Sequence, residues 1–473
     1  MKKELSKEYS LQSVKVLPNK TKHRRIVTQT LPSPNSIEII KELKKCEPRS
    51  MFGQVPIAIA KTYDVHVEDV DGNVFLDGTS GVLVANIGHT TQAVSKAVEE
   101  QLEKFHFAYC FPYKKRLELV KKLVEITPKN IDCVFLLSTG SEAVEASIKN
   151  ARRYGIETSG PEKRVIISFK GAFHGRTMGA QMAGGIEPLK SWIGYQDPGL
   201  IQVDFPNCYH CWKGRDGYSN CVQDCIDLVK QKFEELEGKI VGVLSETYQG
   251  RGPVFPPDGY YQGLAKLCKE NDALLILDEV QAGFGRTGKL FCFEHYNVEP
   301  NMICIGKGVT SSLPLSALLG ESRIMNYFEP GSMTSTHGAN PLCVAAALAS
   351  VNELLKDDMK IIRNAAETGK VLGSRLFKLK EKYEEVGNVT GKGMVYGIEM
   401  VKDRETKEPY ADLAFQTVLE AYHRGVLLFA PIGAGHNIIK INPPLTMEKD
   451  AAEELADVID ESIKASLEKI SKN

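Results

Sequence analysis

The feature that most constrains this chain is the run Ala273-Leu-Leu-Ile-Leu277, closed by Asp278 and Glu279. A short apolar run bounded by charge reads as a strand buried on both faces of a parallel sheet. Open α/β sheets bind ligands in the crevice beyond the carboxyl ends of such strands, which is where the two carboxylates fall. A second run, Asn301-Met-Ile-Cys-Ile305, leads into Gly306-Lys307-Gly308. Two strand ends thereby deliver a carboxylate and an amine to one crevice. Lysine forms Schiff bases, and a carboxylate can hold a ring nitrogen protonated. Standing alone, such a pair would be an ion pair at a sheet edge.

The same alternation recurs along the chain. A strand over Asp132–Leu137 ends at Ser138-Thr139-Gly140-Ser141-Glu142, where a helix begins and runs towards Tyr154. Free N–H groups and a positive dipole end suit a phosphate there, although the same letters make a plain N-cap. Val165–Phe169 is a strand followed by Gly171-Ala172-Phe173-His174-Gly175-Arg176-Thr177. An aromatic ring flanked by glycines at a strand end can lie flat on a heterocycle. The strand Ile240–Leu244 and the helix Tyr260–Lys269 complete a βαβ order that implies a mainly parallel sheet. Ile57–Asp77 alternates around Asp71-Gly72, a hairpin pattern.

Residues 1 to about 50 are polar, with Pro32, Pro34 and Pro48 set against any long helix, and are expected to form an arm. A long helix is expected from Pro341 through Leu354, and a final helix over Met447–Leu467. The expected division is an arm and part of a small domain over 1–80, a large domain over 81–350, and the rest of the small domain over 351–473.

Composition excludes several classes. The 473 residues carry 59 basic and 60 acidic side chains, a net charge of −1, so no global field draws the chain to nucleic acid or a membrane surface. No apolar run approaches the roughly 18 residues of a membrane span. Met1-Lys-Lys-Glu lacks the apolar core of a secretion signal, and the eleven cysteines, an odd number, read as reduced thiols. A cytoplasmic location is the expectation.

The stretch Leu277-Asp-Glu-Val-Gln-Ala-Gly-Phe-Gly-Arg-Thr-Gly288, with Gly306-Lys307-Gly308, closely resembles the signature of the class III aminotransferases, the ornithine and 4-aminobutyrate type. The resemblance implies an α/β enzyme of pyridoxal-phosphate fold type I. Its large domain would carry a mainly parallel seven-stranded sheet flanked by helices, beside a smaller α+β domain built from the N- and C-terminal parts. It further implies that Lys307 carries pyridoxal phosphate as a Schiff base, that Asp278 pairs with the pyridine nitrogen, that Val280 packs behind the ring and that Gln281 reaches the phenolic oxygen. Gly140 and Ser141 are assigned to the cofactor phosphate, Phe173 to the ring face with His174 nearby, and Glu246 to the cofactor site. Val82, in the loop Ser80–His89, is placed on the substrate side, and Gly283–Gly288 is expected to be a structural turn. Thr336 would bond the phosphate of a neighbouring subunit, which implies a homodimer or a dimer of dimers with shared sites.

Two positions depart from the family pattern. Many members place a glutamate after Gln-Gly and an arginine two residues before Pro-Pro; this chain has Arg251 and Lys440. Lysine offers a compact point charge where arginine offers a bidentate fork. With no internal counter-ion, the two cations call for a donor that carries an anionic group. Taurine-like sulfonates, ω-amino acids, phosphorylated amines and aminoacyl thioesters of coenzyme A all qualify, with 2-oxoglutarate or pyruvate as acceptor. The same machinery without a keto acid would make a racemase or an amino-alkyl phosphate lyase. A rival signal stands in an insertion over 205–226, where Cys208, Cys211, Cys221 and Cys225 have the spacing of a structural zinc site, an iron–sulfur site or a metal- or redox-sensing thiol cluster.

Overall fold

A computed structural model describes residues 8–214 and 221–472. The chain divides into two compact units, one made of residues 92–360 and the other of 1–91 with 361–473.

The larger unit is built on one seven-stranded sheet. In spatial order its strands are Leu200–Val203, Val165–Phe169, Ile240–Glu246, Leu274–Asp278, Met302–Ile305, Ser316–Gly320 and Cys133–Leu137. The first five lie parallel to one another, whereas Ser316–Gly320 runs antiparallel to both of its neighbours. Apolar side chains on both faces make these central strands: every residue of Ile240–Glu246, Leu274–Asp278 and Met302–Ile305 is buried. Helices cover the faces, as parallel strands require. Val144 and Ile148 of the helix Gly140–Ser159 share a core with Ile166, Val241, Leu244, Ile276, Met302 and Leu318.

The smaller unit holds three further sheets, the smallest being the antiparallel pair Val14–Lys15 and Thr30–Leu31. His66–Asp69 pairs antiparallel with Val74–Asp77 across the Asp71-Gly72 turn, as the alternation implies. Val426–Leu427 adds to Val74–Asp77 in parallel. A three-stranded antiparallel sheet consists of Val386–Lys392, Val395–Met400 and Ile438–Ile441. The helices Ala411–His423 and Lys449–Ile470 belong to this unit. No described helix is long and apolar enough to cross a membrane.

One expectation needs correction. The N-terminal segment is not irregular throughout, because Pro34–Cys46 forms a helix with Pro34 at its first position, where a missing N–H costs nothing. The helix expected from Pro341 through Leu354 is present, and beyond it Asp357, Asp358 and Met359 take φ values of 51°, 55° and 57°, a left-handed turn. The units divide just beyond that turn and after Thr91.

Candidate active site

Sheet register assembles the centre. Glu246 lies opposite Asp278 on one side and Cys304 lies opposite it on the other, so three strand ends finish level. Three residues past Cys304 comes Lys307, which takes φ +46°. Left-handed backbone at a lysine is strained, and such strain persists where the surroundings over-determine the geometry.

Around Asp278 the polar groups interlock. Asp278 Oδ1 accepts the Val280 N–H at 3.0 Å, and Oδ2 stands 2.8 Å from His174 Nδ1. His174 Nε2 is buried with no protein partner. Glu246 accepts the N–H of Phe173 and the N–H of Gly250, both at 2.9 Å, which pins the aromatic turn and the Gln249-Gly250 turn to one carboxyl group. Burial opposes the His174 imidazolium, but the hydrogen bond and charge of Asp278, with Glu246 behind, raise its pKa overall. Burial pushes Glu246 up to about 7 against the pull of His174 and its two N–H donors. The Lys307 ammonium is held below its ordinary range by burial, opposed by Asp278 and Glu246. One centre therefore holds a carboxylate, an imidazole and an amine biased towards its neutral form, the combination that base and nucleophile chemistry needs.

A phosphate-sized anion finds a prepared cradle at the start of Gly140–Ser159. Thr139 caps this helix reciprocally: its hydroxyl accepts the Glu142 N–H at 3.3 Å, while Glu142 accepts the N–H of Ser138 and of Thr139. Gly140 and Ser141 follow as the first helical residues, whose N–H groups have no partner within the helix. The Ser141 hydroxyl accepts the Arg176 N–H at 3.1 Å. Close packing excludes larger residues: a Cβ on Gly140 would stand 2.7 Å from Val280 Cγ1, and one on Gly175 would collide with Ser141. Val280 thus packs between the cradle and the strand end. A Cβ on Gly250 would likewise strike the Gln281 side chain. An anion cradle, a buried carboxyl group and an amine biased towards its neutral form are the groups that pyridoxal phosphate calls for, and these residues fit it.

The larger unit brings together Gly140, Ser141, Phe173, His174, Glu246, Asp278, Val280, Gln281 and Lys307. Thr336 is exposed and lines, with Ser138, Glu142, Glu145 and His337, a cleft of about 460 Å³. Val82 and Lys440 belong to the smaller unit. Ser80, Gly81, Val82 and Leu83 all have positive φ, and Asn442 joins that turn to the Lys440 strand by donating to Gly78 O and accepting from Ser80 Oγ, each at 2.8 Å. Arg251 is partly buried beside Arg176, and burial together with that like charge lowers its pKa. Arg176 lies over the Phe173 ring at 5.6 Å. Sequence reasoning missed Arg176, although it stands inside the Phe173–Thr177 stretch that drew attention.

The cysteine segment is no ready metal site. Among the described residues no group of three or more His, Cys, Asp or Glu side chains is arranged to hold an ion.

The sequence matches the family described as aminotransferase class-III over residues 50–463. It is 34% identical over 433 residues to a leucine/methionine racemase of Thermococcus litoralis, covering 90% of this chain and 95% of that protein. It is 32% identical over 451 residues to a 4-aminobutyrate aminotransferase of Mycobacterium leprae, covering 92% and 97%. The fold superposes with a TM-score of 0.83 and 29% identity on a pyridoxal-phosphate-bound amine transaminase from an uncultivated Pseudomonas species, covering 89% of this chain and 97% of that one. The chain belongs to the class III aminotransferases, pyridoxal-phosphate enzymes of fold type I.

Proposed function

We propose that this transaminase takes its amino group from a donor carrying an anionic group, such as an ω-amino acid, a taurine-like sulfonate or an aminoacyl thioester of coenzyme A, and passes it to 2-oxoglutarate or pyruvate. The observation behind the donor class is the pair Arg176 and Arg251. Arg176 lies over the Phe173 ring and its charge adds to burial in disfavouring the charged form of Arg251, so an anionic group bound at these two cations would offset that cost.

Pyridoxal phosphate, when bound, supplies the electron sink that acidifies the carbon bearing the amine. Asp278 would pair with the ring nitrogen, and the 2.8 Å contact with His174 Nδ1 orients its carboxyl group. Lys307, whose ammonium burial biases towards the neutral amine, would hold the cofactor's aldehyde carbon and would serve as the group that accepts and returns a proton there. Gly140 and Ser141 hold the phosphate, Gln281 the phenolic oxygen, and Phe173 covers the ring. A homodimer with Thr336 directed at the partner's phosphate is part of this reading.

The test is turnover of a panel of amines with and without keto acid. Loss of the cofactor's visible band with one anionic donor, restored by 2-oxoglutarate or pyruvate, supports transamination; no conversion by any anionic donor overturns the donor class. Arg251→Glu should raise KM for such a donor about 10- to 100-fold, the worth of one charge-assisted contact, and leave neutral amines nearly unchanged. A racemase reading draws on the 34% identity to the Thermococcus litoralis protein. It predicts inversion and exchange of the α-hydrogen in heavy water without any keto acid.

A further inference from the structure

Four cysteines stand on the two described parts of the insertion, residues 205–214 and the helix that begins at Cys221. Phe205, at its start, is buried edge-on against Phe169 and Tyr260. The chain then turns: the His210 N–H donates to Asn207 Oδ1 at 3.1 Å, and the Gly214 N–H to Cys211 O at 2.8 Å. Cys208 and Cys211 stand on this turn, half-buried. Cys221 and Cys225 are the first and fifth residues of the helix Cys221–Glu235, on one face and one turn apart, and both are buried. That face packs on the helix Tyr260–Glu270, with Ile226 against Gly263.

An ion pair closes the turn onto the helix. Lys213 Nζ lies 2.6 Å from Asp224 Oδ1, between the two helical cysteines in sequence. The ion pair draws the turn that bears Cys208 and Cys211 to the helix that begins at Cys221. The Trp212 indole is hydrogen-bonded to Cys225, whereas the Cys208 and Cys221 thiols are hydrogen-bonded to each other. The second contact puts one sulfur against another.

We propose that Cys208 and Cys221 are a reversible redox pair that closes to a disulfide on contact with an oxidised low-molecular-weight disulfide. Cys208 is the sulfur that a small oxidant reaches, being half-buried where Cys221 is buried. As a thiolate it attacks one sulfur of the oxidant; a Cys208–sulfur bond forms, the oxidant's S–S bond breaks, and one small thiol leaves with the proton Cys208 gave up. Cys221, as a thiolate, then attacks Cys208 Sγ and expels the second small thiol with the second proton. The cysteine pair loses two electrons and two protons, and the oxidant gains both. Burial and the neighbouring Cys221 push the Cys208 thiol up to about 12, so exchange is slow at neutral pH and accelerates as pH rises. The bond ties the turn to the helix start and lies outside the cofactor centre, so turnover should stay within about twofold, as for substitutions that touch neither substrate nor cofactor.

The experiment treats the holoenzyme with oxidised glutathione or with dithiothreitol, traps free thiols by alkylation under denaturing conditions, and maps peptides by mass spectrometry. The expected result is a Cys208–Cys221 cross-link lacking two hydrogens, reversed by dithiothreitol, absent in Cys208→Ser and Cys221→Ser and retained in Cys211→Ser and Cys225→Ser. The oxidised protein should also melt several degrees higher, because the bond restricts the unfolded chain, and Cys208→Ser should lose that rise. A bridge joining Cys211 to Cys225, glutathione adducts with no internal bridge, or stoichiometric zinc that shields all four thiols until a chelator is added would each overturn the proposal.

Discussion

Glu246, Asp278 and Lys307 owe their places to sheet register, whereas Cys208, Cys211, Cys221 and Cys225 owe theirs to a turn, a helix start and one ion pair. The first group stands on strands buried along their whole length, so each side chain is fixed by hydrogen bonds and packing that reach through the core. The second is fixed locally and sits on one covering helix. Precise placement comes with the first arrangement, as chemistry on a cofactor needs; adjustable contact comes with the second.

The sharpest way to break that comparison is Lys307→Ala. Turnover should fall more than about 10³-fold, since bond formation and proton transfer both use this amine, while Cys208→Ser stays within about twofold. Next comes Asp278→Asn, expected to lower kcat about 10²-fold and to let the His174 pKa fall, since burial is then opposed by Glu246 alone, read by NMR titration. A loss of kcat with His174 unmoved would show that Asp278 does not set the imidazole.

Packing predictions are smaller. Gly140→Ala places a methyl group 2.7 Å from Val280 Cγ1, so the unfolding free energy should drop by about 1–3 kcal/mol and phosphate retention should weaken. Glu279 gives the least effect and a clear sign. Burial pushes its carboxyl group up to about 8 from an ordinary 4.5, although the N–H groups of Cys292 and Phe293 donate to it. A folded pKa above the unfolded one makes its contribution complete below pH 4.5 and lost as pH rises through about 8. Melting midpoints of the wild type should decline across that window, and Glu279→Gln should flatten the decline while lowering the whole curve by about 1–3 kcal/mol for the orphaned N–H.

Legibility in the sequence followed burial. Leu274–Asp278, Met302–Ile305 and Val165–Phe169 announce themselves because apolar runs ending in charge have few other homes in a fold. Leu200–Val203 is a half-buried edge strand of four residues, and Ser316–Gly320, made of Ser-Ala-Leu-Leu-Gly, has weak strand propensity. Both take their structure from neighbours far away in the chain, which local pattern does not record. The helix Pro34–Cys46 was hidden by a proline that starts it. The left-handed turn at Asp357–Met359 contains no glycine to betray it. At the site, motif letters located Asp278, Lys307 and the phosphate cradle, but nothing in them paired Arg176 with Arg251, a proximity that only folding creates.

Ser316–Gly320 has a consequence for synthesis. Cys133–Leu137 stands at the sheet edge and its ladder partner is that strand, with Leu137 opposite Ser316. Roughly 180 residues separate the two, and at ribosomal rates of about 5–20 residues per second the earlier strand waits roughly 10–40 s for its partner. Through that interval Cys-Val-Phe-Leu-Leu is an unpaired apolar edge on the nascent chain, which is the stretch a chaperone has most reason to hold.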